Sequence, residues 1–363
     1  MQLSRSVDRF IQLAYSPSAP LPGVLPPAAQ AIIRNAQLAT AEEVDAALQR
    51  LREPVERAEL LPAAVASLVC GTLVEQGATP ECAGEAILRR TQKTLALATS
   101  FIQACMREAA GELPAEVCVT RYREAVSKQL PQEAQAFARQ DMFLSAATAI
   151  LLRSGALRAL FQRDDAFLAL LKRYPLDEKL YYLERLMSML DGEEMLVIHP
   201  ELKRGYRIRI DGIADNFQLH TLLADTLIGD PDEGWLPGTR PDPLAAEACR
   251  DGYFPQEDDP EAAHFPLVEG AFNLWNWTAL RPDGTLPERP FDASSHWIWN
   301  EGTPADIQLF EGIRVILLGP PPYQRTWNAG RFFPLMKGEL TVCEVLSSAR
   351  VENWLTRMAR APR

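Results

Sequence analysis

Near residue 191 this chain stops being one kind of polypeptide and becomes another. All seven tryptophans lie beyond residue 230, and 14 of the 20 glycines follow residue 191. Charge divides the same way. Residues 1–190 hold 21 Lys+Arg against 21 Asp+Glu, so the other 16 basic and 27 acidic side chains carry the whole net charge of −11. Hydrophobic spacing also changes, from three- and four-residue steps to two-residue alternation, the patterns of buried helix faces and half-buried strands. A single core seldom grows past about 250–300 residues, and this chain has 363. The expected fold is therefore α+β in two bodies. An N-terminal segment, 1–40, carries a proline-rich tether. An all-α bundle follows over 41–192, then a mixed α/β or α+β sheet domain over 193–363.

The tether is "SPSAPLPGVLPP" at 16–27, expected to be extended because each proline pushes its predecessor out of the helical region. The clearest helical pattern spans 80–108. Thr79 is placed to cap it, Pro80 suits a first helical position, and Leu88, Leu95, Ala98, Ile102 and Cys105 share one face, with a slack step at Thr91. Further helices read at 41–53, 61–76, 131–153, 156–172 and 177–190. No motif recurs at a period of about 34 or 40 residues, so an irregular bundle is preferred to a solenoid-like stack of helix pairs.

In the second half, "MLVIH" (195–199) and "YRIRIDGI" (206–213) read as strands, the latter with Tyr206, Ile208 and Ile210 on one face. A helix capped by Asp215 or Asn216 follows. Further strands are expected at 271–279, 296–300, 312–319 and 340–345, and a last helix from Ser347 or Ser348 to Arg360. The stretch from 230 to about 262 holds ten acidic and two basic side chains over 230–261 and shows neither period. It reads as an acidic, proline-rich, solvated insertion.

Four tryptophans pose the sharpest question about binding. In strands, Trp275 and Trp277 would share a face, as would Trp297 and Trp299, and neighbouring strands would make one aromatic surface able to stack on a sugar or a base. Filling the core beneath covering helices is the favoured reading. Arg325 and Arg331, in the loop after the 312–319 strand, could hold an anion, although no phosphate-loop glycine pattern is present.

The catalytic candidates are His220, His296, Asp211 and Glu301. Asp211, Asp215, His220 and Asp225 gather where a strand feeds a helix, a common ligand position in mixed sheets. Ser295 beside His296 would point to the opposite face of a strand and could not readily be activated by it. Glu301 and Asp306 form a weak carboxylate pair for glycoside chemistry. No His-x-His, His-Glu-x-x-His or Cys-x-x-Cys spacing occurs, so no metal and no cofactor are expected.

Net acidity argues against nucleic acid and anionic membranes as partners. Five prolines interrupt the longest uncharged run, Phe10–Ile33, and the amino terminus does not read as a signal peptide. Six cysteines in mostly apolar surroundings suit a reducing, cytoplasmic setting. The leading expectation is a non-catalytic interaction or adaptor protein whose partner is another protein. The alternative is an enzyme, or a carbohydrate- or aromatic-ligand-binding protein, with its site in the tryptophan-rich domain.

Overall fold

The computed structural model describes residues 2–16, 21–109, 113–251, 266–287, 296–321 and 324–361. The chain divides into two compact units, Met1–Met187 and Ser188–Arg363. The first is helical and the second combines a mixed sheet with helices, an α+β architecture. Among the described residues no single helix is long and apolar enough to cross a membrane.

In the first unit, α1 (Gln2–Ala14), α2 (Leu21–Ala36) and α3 (Ala41–Arg57) lead into α4 (Leu60–Glu75) and α5 (Gly84–Glu108). Then come α6 (Ala115–Gln129), α7 (Pro131–Arg153) and the short α8 (Gly155–Phe161), α9 (Asp165–Lys172) and α10 (Tyr181–Met187). Helices α4 and α7 cross closely because small residues meet there. A Cβ on Gly71 would sit 3.1 Å from the Ala146 Cα. The α5 stripe of Leu88, Leu95, Ala98, Ile102 and Cys105 is fully buried. Thr91, at the slack step, is buried too and returns its hydroxyl to the Ile87 carbonyl at 2.8 Å.

Several expected boundaries move. The segment expected to be extended is helical from Leu21, with Pro26 and Pro27 inside α2; Leu25 and Ile32 are fully buried, and that burial outweighs the bonds the prolines forgo. Residues 17–20 lie outside the described residues. Thr79 does not cap α5. Pro80–Cys82 form a separate 3-10 turn, and the Thr79 N–H and hydroxyl donate to Asp45 at 2.9 and 2.6 Å. The span 156–172 breaks into α8 and α9 because the Asp164 carboxylate caps α9, accepting from the Phe167 N–H at 2.9 Å, and pairs with Arg89 of α5.

The second unit contains β1 (Glu193–His199), β2 (Arg204–Asp211), α11 (Asn216–Leu227), α12 (Pro243–Arg250), β3 (Leu267–Glu269) and β4 (Asn273–Asn276). After them come β5 (Leu309–Phe310), β6 (Ile313–Gly319), β7 (Thr326–Asn328), β8 (Glu339–Leu346) and α13 (Ser348–Arg360). The main sheet runs β4-β6-β1-β2-β8, with β5 also on β6, and β3 pairs β7 separately. Only β1 and β6 are parallel among these pairs. The continuously apolar β6 is flanked on both sides, as its composition requires.

Two apolar layers cover the sheet. On one face Val197, Tyr206, Ile208 and Ile316 pack with Leu219, Leu222 and Leu223 of α11 and Ala248 of α12. On the other, Leu196, Ile198, Val315 and Leu317 pack with Val351 and Met358 of α13 and with Trp275 and Trp297. Strand β8 serves both layers. Val342 pairs with Ile208 and Glu344 with Arg207, leaving Cys343 as the extra residue of a bulge. Leu340 therefore faces the α11 layer and Leu346 the α13 layer.

Part of the expected insertion is structured. Pro243–Arg250 is a helix, Asp242 accepts from the Leu244 N–H at 2.8 Å, and Ala245, Ala248 and Cys249 are buried. Its eight residues hold too short an apolar stripe to display a period. Residues 252–265 lie outside the described residues. The strand expected over 271–279 ends at Asn276, and Trp277 opens a 3-10 turn. The strand expected at 296–300 reduces to a single bridge between Trp297 and Trp275.

Candidate functional site

The start of α11 organises the polar candidates of the second unit. Its N-cap, Asp215, accepts from the Gln218 N–H at 2.8 Å. The next two backbone N–H groups, of Asn216 and Phe217, donate to the carbonyls of Gly302 and Asn300 at 3.0 and 3.1 Å. The Asn216 side chain donates to the carbonyls of Trp299 and Thr303 at 2.8 and 3.2 Å. The 299–303 loop thus satisfies helix donors that would otherwise have none.

That pinning carries Asn300 into the core beside His220, which is 2% exposed. The His220 ring lies 4.8 Å from Trp327 and 6.4 Å from Phe272. Burial drives its pKa down to about 4; the adjacent Asn300 amide favours the imidazolium and the Arg325 charge opposes it. No hydrogen bond of good geometry reaches either ring nitrogen, so the Asn300 contact is loose and desolvation decides the protonation state. Arg325 approaches Glu301 at 4.0 Å. Arg325 thus lies near both His220 and Glu301, but a neutral imidazole sealed among aromatic rings is poorly placed for proton transfer with a substrate.

His296 has different surroundings, its Nδ1 lying 3.4 Å from the Thr278 hydroxyl. Ser295 is outside the described residues. The Asp211 carboxylate accepts from the Gly192 N–H at 2.8 Å and lies 3.5 Å from Arg209, while Asp191 accepts from the Gly212 N–H at 3.0 Å. These bonds close the open end of the β1–β2 hairpin. Asp306 accepts from both the N–H and the hydroxyl of Thr303, at 2.7 and 2.9 Å, leaving Glu301 without it as a carboxylate pair. Asp225 pairs with Arg250 at 2.8 Å. Arg331, nearly buried, donates to the carbonyls of Ala248 and Pro334 at 2.9 and 3.0 Å. Among the described residues no three His, Cys, Asp or Glu side chains are grouped to hold a metal ion.

The four indoles separate. Trp275 and Trp297 are buried with ring centroids 4.9 Å apart. Trp277 packs on Phe310 at 5.0 Å and donates its indole N–H to the Leu309 carbonyl at 3.0 Å. Trp299 stacks on Trp297 at 6.2 Å and remains 45% exposed.

The helical unit contains concave surface that sequence reasoning missed. One groove of about 440 Å³ lies between the α2–α3 joint and the end of α4. A second, of about 370 Å³, runs between α3 and α5, and a third, of about 520 Å³, between the start of α4, α5 and α7. The last two share Arg90 and Lys93. Their polar lining sits on the outward faces of separate helices, where the sequence offers only ordinary surface charge. No family model, no curated protein and no solved structure matches this chain at a significant level.

Proposed function

We propose that this is a non-catalytic interaction or adaptor protein of the cytoplasm, and that its helical unit presents the surface on which another protein docks. The observation that carries this reading is the open grooves of the helical unit, one lined mostly by small apolar residues and two by charged and amide side chains. Two further points support it. Asp211, Asp306 and Arg331 are each committed to holding the fold, and His220 is sealed in the core. The cysteines described are free thiols, which agrees with a reducing compartment.

The test is photo-crosslinking in cells, with benzoylphenylalanine placed one position at a time at Leu38, Gln132 and Trp299. Adducts to another polypeptide from Leu38 or Gln132 support the reading. Absence of polypeptide adducts from both overturns it. A second reading, a planar or sugar ligand stacked on Trp299, is favoured by that ring's exposure over Trp297. Ligand-dependent quenching of emission that disappears in Trp299→Ala would support it.

A further inference from the structure

The two grooves that share Arg90 and Lys93 form one trough across α3, α5 and α7, beginning beside the first turn of α4. Its walls hold five cations, Arg52, Arg57, Arg89, Arg90 and Lys93, against Glu56, Glu59 and Glu85. The cations divide into two sets. Arg52 pairs with Glu56 at 2.7 Å, and Arg89 pairs with Asp164 and approaches Glu85 at 3.8 Å. Arg57, Arg90 and Lys93 form no ion pair with any described residue. Arg90 instead donates to the carbonyls of Ala58 and Glu56 at 3.0 and 3.4 Å, which fixes its guanidinium at the end of α3.

The half of the chain that holds this trough is balanced, with 21 basic and 21 acidic side chains over residues 1–190, yet three cations stand together here without an ion-pair partner. Glu59 is the one lining carboxylate outside the ion pairs, so the strip keeps a net positive charge along a concave surface, where low-dielectric walls strengthen the field. We infer that this trough binds an acidic segment of a partner protein, with its carboxylates against Arg57, Arg90 and Lys93. Shape and lining both favour a polypeptide over a compact anion. The strip is elongated, Gln132 and Gln135 add neutral hydrogen-bonding groups at one end, and the paired Glu56 and Glu85 would repel a dense polyanion. Part of the strip is apolar, with Leu60 and Leu97 available to side chains between the acidic ones.

This inference rests on the interaction reading above, and its test separates the two. The full chain is titrated into a fluorescein-labelled peptide of alternating Glu and Ser, with a Gln/Ser peptide of equal length as control, and anisotropy is followed. The expected result is selective binding of the acidic peptide that weakens as salt rises. Arg57→Glu with Lys93→Glu should weaken binding about tenfold, and Arg57→Gln with Lys93→Gln by less. Arg121→Glu with Arg123→Glu, on exposed positions of α6 outside the trough, should leave it unchanged. Equal binding of both peptides, no binding of the acidic one, or insensitivity to the Arg57/Lys93 changes would overturn the inference. Crosslinks that form from Leu38 but not from Gln132 would sink the trough and leave the interaction reading standing.

Discussion

The guanidinium of Arg331 lies 2.9 Å from the carbonyl oxygen of Ala248, so a cation suited by sequence to an anion clamp instead closes the last turn of α12. Burial pulls its pKa below the usual arginine value, and the helix carbonyls supply the negative potential that holds it. Arg331→Ala should lower unfolding free energy by about 2 kcal/mol, since it leaves buried carbonyls without a donor. Urea denaturation checks this. A change below about 0.5 kcal/mol would mean that solvent replaces the guanidinium without cost.

Gly212 and Gly192 face each other across the hairpin end with similar positive φ, 65° and 71°, yet their surroundings differ. A Cβ at Gly212 would fall 1.8 Å from the Lys337 carbonyl oxygen, while at Gly192 it would meet nothing within 4 Å. Gly192→Ala should therefore cost only the conformational penalty, about 1 kcal/mol. Gly212→Ala should cost several times more, because backbone must move. Paired thermal melts decide this, and equal losses would contradict the close approach.

His220 makes stability depend on acidity. Its folded pKa, about 4, is below the unfolded value near 6.5, so between those values the unfolded chain binds the extra proton and stability falls as pH falls. The penalty is absent above about pH 6.5 and approaches 2 kcal/mol, as an order of magnitude, by pH 5. Burial lowers the pKa of His199 as well, so the comparison must be differential. His220→Gln should flatten the pH 7.5 to 5 slope of unfolding free energy while leaving the His199 contribution. Parallel slopes in the two proteins would show that His220 is not sealed.

The indoles give a contrast within one loop. Trp297→Ala should cost about 3–5 kcal/mol, as removal of a large buried ring does, whereas Trp299→Ala should cost less than about 1 kcal/mol. Chemical denaturation of the two variants measures this. Similar losses would mean that Trp299 is covered in solution.

Fold class was legible because it rests on long periodic segments. The α5 stripe, the alternation of Tyr206, Ile208 and Ile210, and the apolar run of β6 each state their own period. What was not legible depends on contacts between distant segments. Asp45 takes the hydroxyl of Thr79, Asp164 interrupts a helix in concert with Arg89, and Trp297 meets Trp275 at a single bridge. Candidate site residues suffered most. Asp211, Asp306 and Arg331 have functional-looking chemistry, but local backbone groups claim them, and those groups carry no side-chain signature. Arg57, Arg90 and Lys93 were passed over for the opposite reason: each is unremarkable alone, and only the packing of α3 against α5 assembles them.

The extra residue at Cys343 has an evolutionary corollary. Because the bulge takes that one position out of the pairing and so keeps Glu344 and Leu346 on their faces, the strand should accept many replacements at 343 and even loss of the position itself. Deleting it would leave Val342 opposite Ile208, Glu344 opposite Arg207 and Leu346 opposite Gly205 in an unbroken ladder, so the register of the flanking residues is under tighter constraint than the presence of position 343.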